Sequence, residues 1–229
     1  MSSKKPLNSQ MKKTVLITGA TSGFGKHLSV DYVRAKYDVI LHGRDEKKVE
    51  AVRNEILKNE NIECSTIIAN LNDTKSFYSI SQFFDTKNID ILINNVSIND
   101  GEVETVFYTN TISTIKLCNI AFKHFISGSG GSIININSVA GLKGNEHEAL
   151  YSASKFALRG FSESVKESWL KQGVKMIDIY PGAIATGMSS KRADFHNLID
   201  PKELADFIVK LCQTNSFFVR ELCVQRTKK

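Results

Sequence analysis

Long apolar runs are missing from this chain. No stretch reaches the ~18 residues of a membrane-spanning helix, and the polar N-terminus lacks the apolar core of a signal peptide, so no membrane partner and a cytoplasmic location are expected. Cysteine is sparse as well. Cys64, Cys118, Cys212 and Cys223 stand far apart with no Cys-x-x-Cys pair, which argues against a zinc site and a disulfide framework and leaves reduced thiols and no metal as the expectation. Internal repeats, low-complexity tracts and interdomain linkers are also lacking. There is no surplus of acid: 30 Lys and Arg face 24 Asp and Glu, for a net charge of +6, with much of the excess at the two ends. A modest, scattered basic balance suits an anionic cofactor or substrate better than a nucleic-acid groove, so no nucleic-acid partner is expected.

What remains is material for a core. A chain of 229 residues with 41% hydrophobic content can build one α/β domain. Residues 1–11 read as a flexible leader, with Met11 a candidate natural start, and 12–229 as a single domain. Short β-rich runs alternate with amphipathic helical stretches: "TVLITGA", "DVILHGR", "ECSTIIANL", "IDILINNV", "GSIININSV", "VKMIDIYPG" and "FFVRELCVQ" are separated by helices, including one over roughly 103–126 and one from Pro201. Strands apolar throughout and regularly separated by helices point to an α/β doubly wound sheet of about seven parallel strands, covered on both faces. In such sheets ligands bind beyond the carboxyl ends of the strands.

At the first of these ends, "TGATSGFG" places Gly19, Gly23 and Gly25 between strand and helix. Glycine allows the tight turn and lets backbone N–H groups approach a pyrophosphate, whose charge the helix N-terminus favours. The spacing differs from the usual Gly-x-Gly-x-x-Gly, and alone it is also read as a tight strand-to-helix turn. The second strand ends "LHGRDE": Gly43 takes the place of the carboxylate that would hold a ribose 2′-hydroxyl, and Arg44 follows it. A guanidinium suits a 2′-phosphate, which favours NADP(H) over NAD(H); the competing reading pairs Arg44 with Asp45 or Glu46.

Further along, "IININSV" delivers Ser138 to a strand end, and Tyr151 follows thirteen residues later with Lys155 at i+4 on the same helix face. A free tyrosine, with a pKa near ~10, is a poor acid or base at neutral pH. A neighbouring ammonium lowers that value, and a serine hydroxyl can hold the oxygen that exchanges the proton. A Tyr and Lys four apart occur by chance on many helices; the conjunction with Ser138 and the glycine turn is what carries weight.

With these residues in hand, the chain resembles a classical short-chain dehydrogenase/reductase of the NADP-preferring type, from about Lys13 to Val224. "TGATSGFG", "INSVAG", "YSASK" and "YPGAIATGM" match four family motifs in order and spacing. The resemblance implies a Rossmann-type fold. It implies that Ser138 orients a substrate carbonyl, that Tyr151 is the general acid in reduction and base in oxidation, that Lys155 lowers the tyrosine pKa and binds the nicotinamide ribose, and that Asn110 holds a water in the proton relay. It also implies cofactor contacts from Gly19, Thr21, Ser22, Gly23, Phe24 and Gly25, from Arg44, from Asn70, Leu71 and Asn94, and from Pro181, Gly182, Ile184 and Thr186.

The chain departs from the family pattern in places. Asn-Asn-Ala-Gly reads "NNVS", with Val96 and Ser97 for the small pair, and the expected effect is on cofactor affinity rather than chemistry. Asn70 stands for the usual adenine-binding Asp, and its carbonyl retains the acceptor role. Asn94 and Asn110 are only sixteen residues apart, and the segment after Met188 is short, so a more open pocket and a small, polar carbonyl or alcohol substrate such as a 3-hydroxy acid or sugar are expected. Lys191, Arg192 and His196 read either as contacts for an anionic substrate or as a solvated basic loop. The chain also stops soon after its last strand, as in members that act on 3-hydroxy acids and serine. Family members are commonly dimers or tetramers, and Ile112, Ile115, Phe156 and Phe161 suit either an interface or the core. The second function reading is an NADP(H)-binding regulatory or scaffold protein with little activity.

Overall fold

The computed structural model describes residues 12–21, 23–58 and 62–227; the expected leader over 1–11 and the cofactor candidate Ser22 lie outside the described residues. Seven strands, β1 (Thr14–Ile17), β2 (Asp38–Gly43), β3 (Cys64–Ile68), β4 (Ile91–Asn94), β5 (Gly131–Ile136), β6 (Val174–Pro181) and β7 (Glu221–Val224), form one sheet in the order β3-β2-β1-β4-β5-β6-β7. Every neighbouring pair is parallel. The doubly wound sheet expected from the alternation is therefore what the chain builds. The strand order reverses between β1 and β4, where a crevice opens beyond the carboxyl ends.

Successive side chains of a strand point to opposite faces, and the sheet's two faces are covered differently. Val15 and Ile17 of β1 join Val39, Leu41, Ile93 and Ile179 under α1 (Gly23–Arg34), α2 (Glu46–Leu57) and α7 (Pro201–Cys212). Leu16 and Ile40 point the other way, to Phe77, Phe84, Leu117, Phe125 and Trp169. These residues come from α3 (Thr74–Thr86), α5 (Ser113–Ser127) and α6 (Ala149–Leu170). Asp45, Asp73 and Asp200 start α2, α3 and α7 by accepting from backbone N–H groups of the first turn. Before α5, the short helix α4 (Val103–Phe107) runs into a wider π-turn over Tyr108–Ile112. The helix expected over roughly 103–126 thus carries an irregular turn in its first half, and Asn110 sits in it.

Polar groups inside the sheet are paired across strands. Asn94 Nδ2 donates to Asn135 Oδ1 at 2.9 Å, and Asn135 Nδ2 donates to Asp178 Oδ1 at 2.9 Å. Asp178 also receives Lys166, whose ammonium lies 2.8 Å from it, 2.9 Å from Glu163 and 2.6 Å from Glu221. The three carboxylates are close enough to suggest a cation site, but the cation there is Lys166, which ties α6 to β6 and β7.

His42, 3% exposed at the end of β2, is a second buried polar anchor. Its Nδ1 accepts from Gly19 N–H at 3.3 Å and its Nε2–H donates to Ala69 O at 3.1 Å. Burial pulls its pKa from 6.5 down to about 4. A group with a depressed folded-state pKa contributes its full stability above the unfolded value and loses it as pH falls toward the folded one. The protein is therefore expected to lose up to about 3 kcal/mol from this residue between pH 6.5 and 4. His42→Asn, which keeps an acceptor toward Gly19, should flatten the denaturation midpoint over that window; an unchanged slope would show that His42 does not couple to folding.

Candidate active site

A cleft of about 1300 Å³ runs across the carboxyl ends of the strands. One end is lined by Gly19, Thr21, Gly23, Phe24, Arg44, Asn70 and Leu71, and the other by Ser138, Tyr151, Lys155, Pro181, Gly182, Ile184 and Thr186. Residues scattered over most of the sequence meet here because each closes a strand or opens the helix that follows. Three of the expected residues do not line the cleft. Gly25 lies behind the loop, Asn110 is buried one layer back, and Asn94 faces the sheet interior. The cleft position next to Asn94 belongs to Asn95, one residue on and therefore on the opposite face.

The phosphate end fits an anionic dinucleotide. The β1–α1 turn brings Gly19, at φ +66°, so close to Gly25 that a Cβ on Gly25 would stand 2.2 Å from Gly19 O. No acidic side chain occupies the first turn of α1, so the positive end of the helix is uncompensated. Asn95 clamps the turn from β4, its Nδ2 donating to Thr18 O at 3.0 Å and Gly19 O at 3.3 Å. At Gly43 even a methyl would meet Val49 Cγ2 at 2.7 Å and Thr21 Cγ2 at 2.8 Å, so a carboxylate for a ribose hydroxyl has no room. Arg44 is exposed beside it and forms no ion pair among the described residues. Asp45, its competing partner from the sequence, caps α2 and faces Lys48.

At the other end three hydroxyls converge. Ser138 caps a 3₁₀ turn (Val139–Gly141) at the end of β5, accepting from Ala140 N–H at 3.1 Å. Tyr151 lines the cleft together with Ser138 and Ser97. Burial raises the Tyr151 pKa above its ordinary value, and the two serine hydroxyls oppose that rise. Lys155, 1% exposed, donates from Nζ to Ile136 O at 3.2 Å and stands 5.5 Å from the Tyr151 ring centroid. Burial lowers its pKa to about 7. The expectation that Lys155 depresses the phenol is not the balance seen here: burial is the largest influence on Tyr151, and Lys155 is not among the groups that shift it.

Asn110 organises this corner from behind. Its Oδ1 accepts from Ile98 N–H at 2.8 Å and Ser97 Oγ–H at 3.1 Å, while Nδ2 donates to Ile98 O at 2.8 Å and Ser154 Oγ at 3.0 Å. All four hydrogen-bonding positions of the amide are engaged within the protein. The π-turn turns Asn110 inward, and Ser154, one residue before Lys155, locks it to α6. Ser97 is the residue whose proximity to the chemistry the sequence reading missed. "NNVS" is a visible departure whose expected effect is on cofactor affinity; Val96 stands near the glycine turn, where a Cβ on Gly19 would meet its Cγ2 at 3.1 Å, whereas Ser97 lines the cleft with Tyr151 and is bonded to Asn110.

The mouth is basic. Lys143, Lys191, Arg192 and Arg226 line it, although Arg192 donates from Nε and one terminal nitrogen to Asp194, at 2.9 and 3.1 Å, and Arg226 shares that carboxylate. His196 does not line the cleft.

Comparison with known proteins agrees with this geometry. The family model for short chain dehydrogenases matches residues 13–197. Carbonyl reductase family member 4 of Xenopus tropicalis is 28% identical over 222 residues, covering 89% of this chain and 92% of that protein. The NADP-dependent 3-hydroxy acid dehydrogenase of Schizosaccharomyces pombe is 26% identical over 211 residues, covering 86% and 80%. Among solved structures, ElxO with NADP bound superposes with a TM-score of 0.83 at 25% identity, covering 94% of this chain and 98% of that one.

Asn110→Ala removes four hydrogen bonds and strands both backbone groups of Ile98, at an expected cost of about 2–4 kcal/mol. Thermal denaturation should show a fall of about 10 °C. A midpoint within about 1 °C of the parent would show that the clasp contributes no stability.

Proposed function

This chain belongs to the short-chain dehydrogenase family, and on that premise we propose that it transfers a hydride between NADP(H) and a small, polar carbonyl or alcohol substrate. The observation that carries the reading is the convergence of Ser138, Tyr151 and Lys155 at one end of a cleft whose other end holds Arg44, which has no ion pair among the described residues. The bound nicotinamide would supply or accept the hydride. Gly19, Thr21, Gly23 and Phe24 would cradle its pyrophosphate, Arg44 would meet the 2′-phosphate, Asn70 and Leu71 would flank the adenine, and Pro181, Gly182, Ile184 and Thr186 would border the nicotinamide. The NADP carried by the relatives named above supports the same cofactor.

In the reductive direction Ser138 donates to the substrate carbonyl oxygen, and Tyr151 gives that oxygen its proton as the hydride reaches carbon. The carbonyl π bond breaks, C–H and O–H bonds form, and Tyr151 is left as phenolate. Lys155 exchanges protons readily near neutral pH, since its pKa of about 7 lies near the operating range, which suits the recharging of Tyr151. In oxidation the phenolate is the base. Lys143 and Lys191 at the mouth favour a polar or anionic substrate such as a 3-hydroxy acid. Ile112 and Phe156 remain exposed on the π-turn and α6, which supports assembly into a homodimer or homotetramer through those helices. By contrast, Phe161 packs edge-on against Trp169 and serves the core.

The alternative of a cofactor-binding regulator with little activity is separated by NADPH oxidation against a panel of aldehydes, ketones and 3-oxo acids. Turnover is expected, and tight NADPH binding with no turnover on any member would favour the regulator. Tyr151→Phe should lower turnover by about a thousandfold while NADPH affinity stays within about threefold, one uncharged hydroxyl being a small part of dinucleotide binding. Activity retained in that variant would move the acid elsewhere. Arg44→Ala should weaken NADPH by at least about tenfold and leave NADH nearly untouched, and an unchanged preference would refute the phosphate role.

A further inference from the structure

His42 reaches from the middle of three strands to the loops that follow the other two. β2 lies between β1 and β3, and the imidazole at its end takes the Gly19 N–H on Nδ1 at 3.3 Å and gives its Nε2–H to Ala69 O at 3.1 Å. The partners fix the tautomer, since an amide N–H can only donate and a carbonyl oxygen can only accept. Burial keeps the ring uncharged at neutral pH, so both bonds stand together there. The main chain repeats the link: His42 O accepts from Ala20 N–H at 2.9 Å, and Gly43 O accepts from Ala69 N–H at 3.0 Å. The glycine turn and the loop that opens into Asn70 and Leu71 are thus tied to the end of β2, and His42 itself lines the cleft along with both.

Strand register does not depend on the imidazole, because backbone bonds already pair β1 with β2 and β2 with β3. Asn95 likewise grips the turn independently, by Thr18 O and Gly19 O. What the side chain adds is a fixed span between two loops outside the sheet. Loops that must be ordered by their ligand subtract that cost from affinity, and loops already set by a buried support do not. We infer that His42 is a positioning residue for the adenosine half of the dinucleotide, holding the phosphate turn and the adenine loop at the separation that this half spans. It touches no reacting atom, and its hydrogen bonds go to none of β5, β6 and α6, which set the nicotinamide end. The inference rests on the cofactor reading of the cleft.

Substitutions that keep one of the two bonds test it, with binding measured by calorimetry on the intact protein and no substrate required. Asn carries its carbonyl near the place of Nδ1, and Gln carries its amide N–H near that of Nε2. His42→Asn therefore keeps the Gly19 bond, His42→Gln keeps the Ala69 bond, and His42→Leu keeps neither. Adenosine 2′,5′-bisphosphate, which has the adenosine half and no nicotinamide, should bind about tenfold more weakly to His42→Leu and about threefold more weakly to each of the other two. NADPH should weaken in the same order. In turnover, KM for NADPH should rise likewise while kcat at saturating NADPH stays within about twofold. A merely structural role would lower the denaturation midpoint and leave the affinities of the folded protein unmoved. Affinities for both ligands within about twofold of the parent in every folded variant overturn the inference, as does a fall in kcat with KM unchanged; if His42→Leu does not fold, His42→Asn and His42→Gln decide it. A parent that binds NADPH as tightly as its variants do removes the inference alone, whereas a parent that binds neither ligand removes the cofactor reading and the inference with it.

Discussion

The amide of Asn110 grips the backbone of Ile98 by both its polar groups, and the shape of this corner of the cleft follows from that clasp. The loop after β4 has no regular structure to fix it. The π-turn supplies the inward-facing position, Ser154 joins the amide to the helix that carries Tyr151 and Lys155, and Thr111 Oγ1 adds a bond to Ser154 O at 2.9 Å. An irregular turn in a helix costs regular hydrogen bonding, and such turns recur at functional sites because they redirect a side chain.

The same economy of buried polar groups appears under the glycine turn. Asn95, just after β4, and His42 from β2 hold the turn from two strands, so the loop that would meet a pyrophosphate is anchored at its base, with the Gly19 and Ala20 N–H groups both bonded to His42. Deeper in the sheet, Asn94, Asn135, Asp178 and Lys166 link four elements through groups buried from solvent. A buried charge with a missing partner is costly, so these links specify one register of β4, β5 and β6, and that register is what brings Ser138 and Pro181 to one cleft.

Much of this was legible in the sequence, for stated reasons. Apolar strands separated by helices can hardly pack otherwise than as a covered parallel sheet, and Ser138, Tyr151 and Lys155 could be named because the chemistry needs those groups at spacings the chain keeps. Asn94 shows where such reading stops: adjacent residues of a strand face opposite ways, and a motif alone does not say which of Asn94 and Asn95 reaches the cleft. Ser97 and His42 were hidden for another reason. Their partners lie 13 and 23 residues away through loop and helix geometry that no local pattern encodes. The balance of pKa shifts was equally out of reach, since it depends on how completely Lys155 and Tyr151 are desolvated.

The central claim is that a hydride passes directly between a nicotinamide and a substrate carbon held by Ser138 and Tyr151. Its most direct test is isotopic: reduction of a carbonyl substrate by NADPH deuterated at the transferring position of C4, with the product analysed by mass spectrometry and NMR. The account expects the deuterium on the carbinol carbon of the product, with the hydroxyl proton drawn from solvent. A product formed without deuterium at that carbon would contradict it.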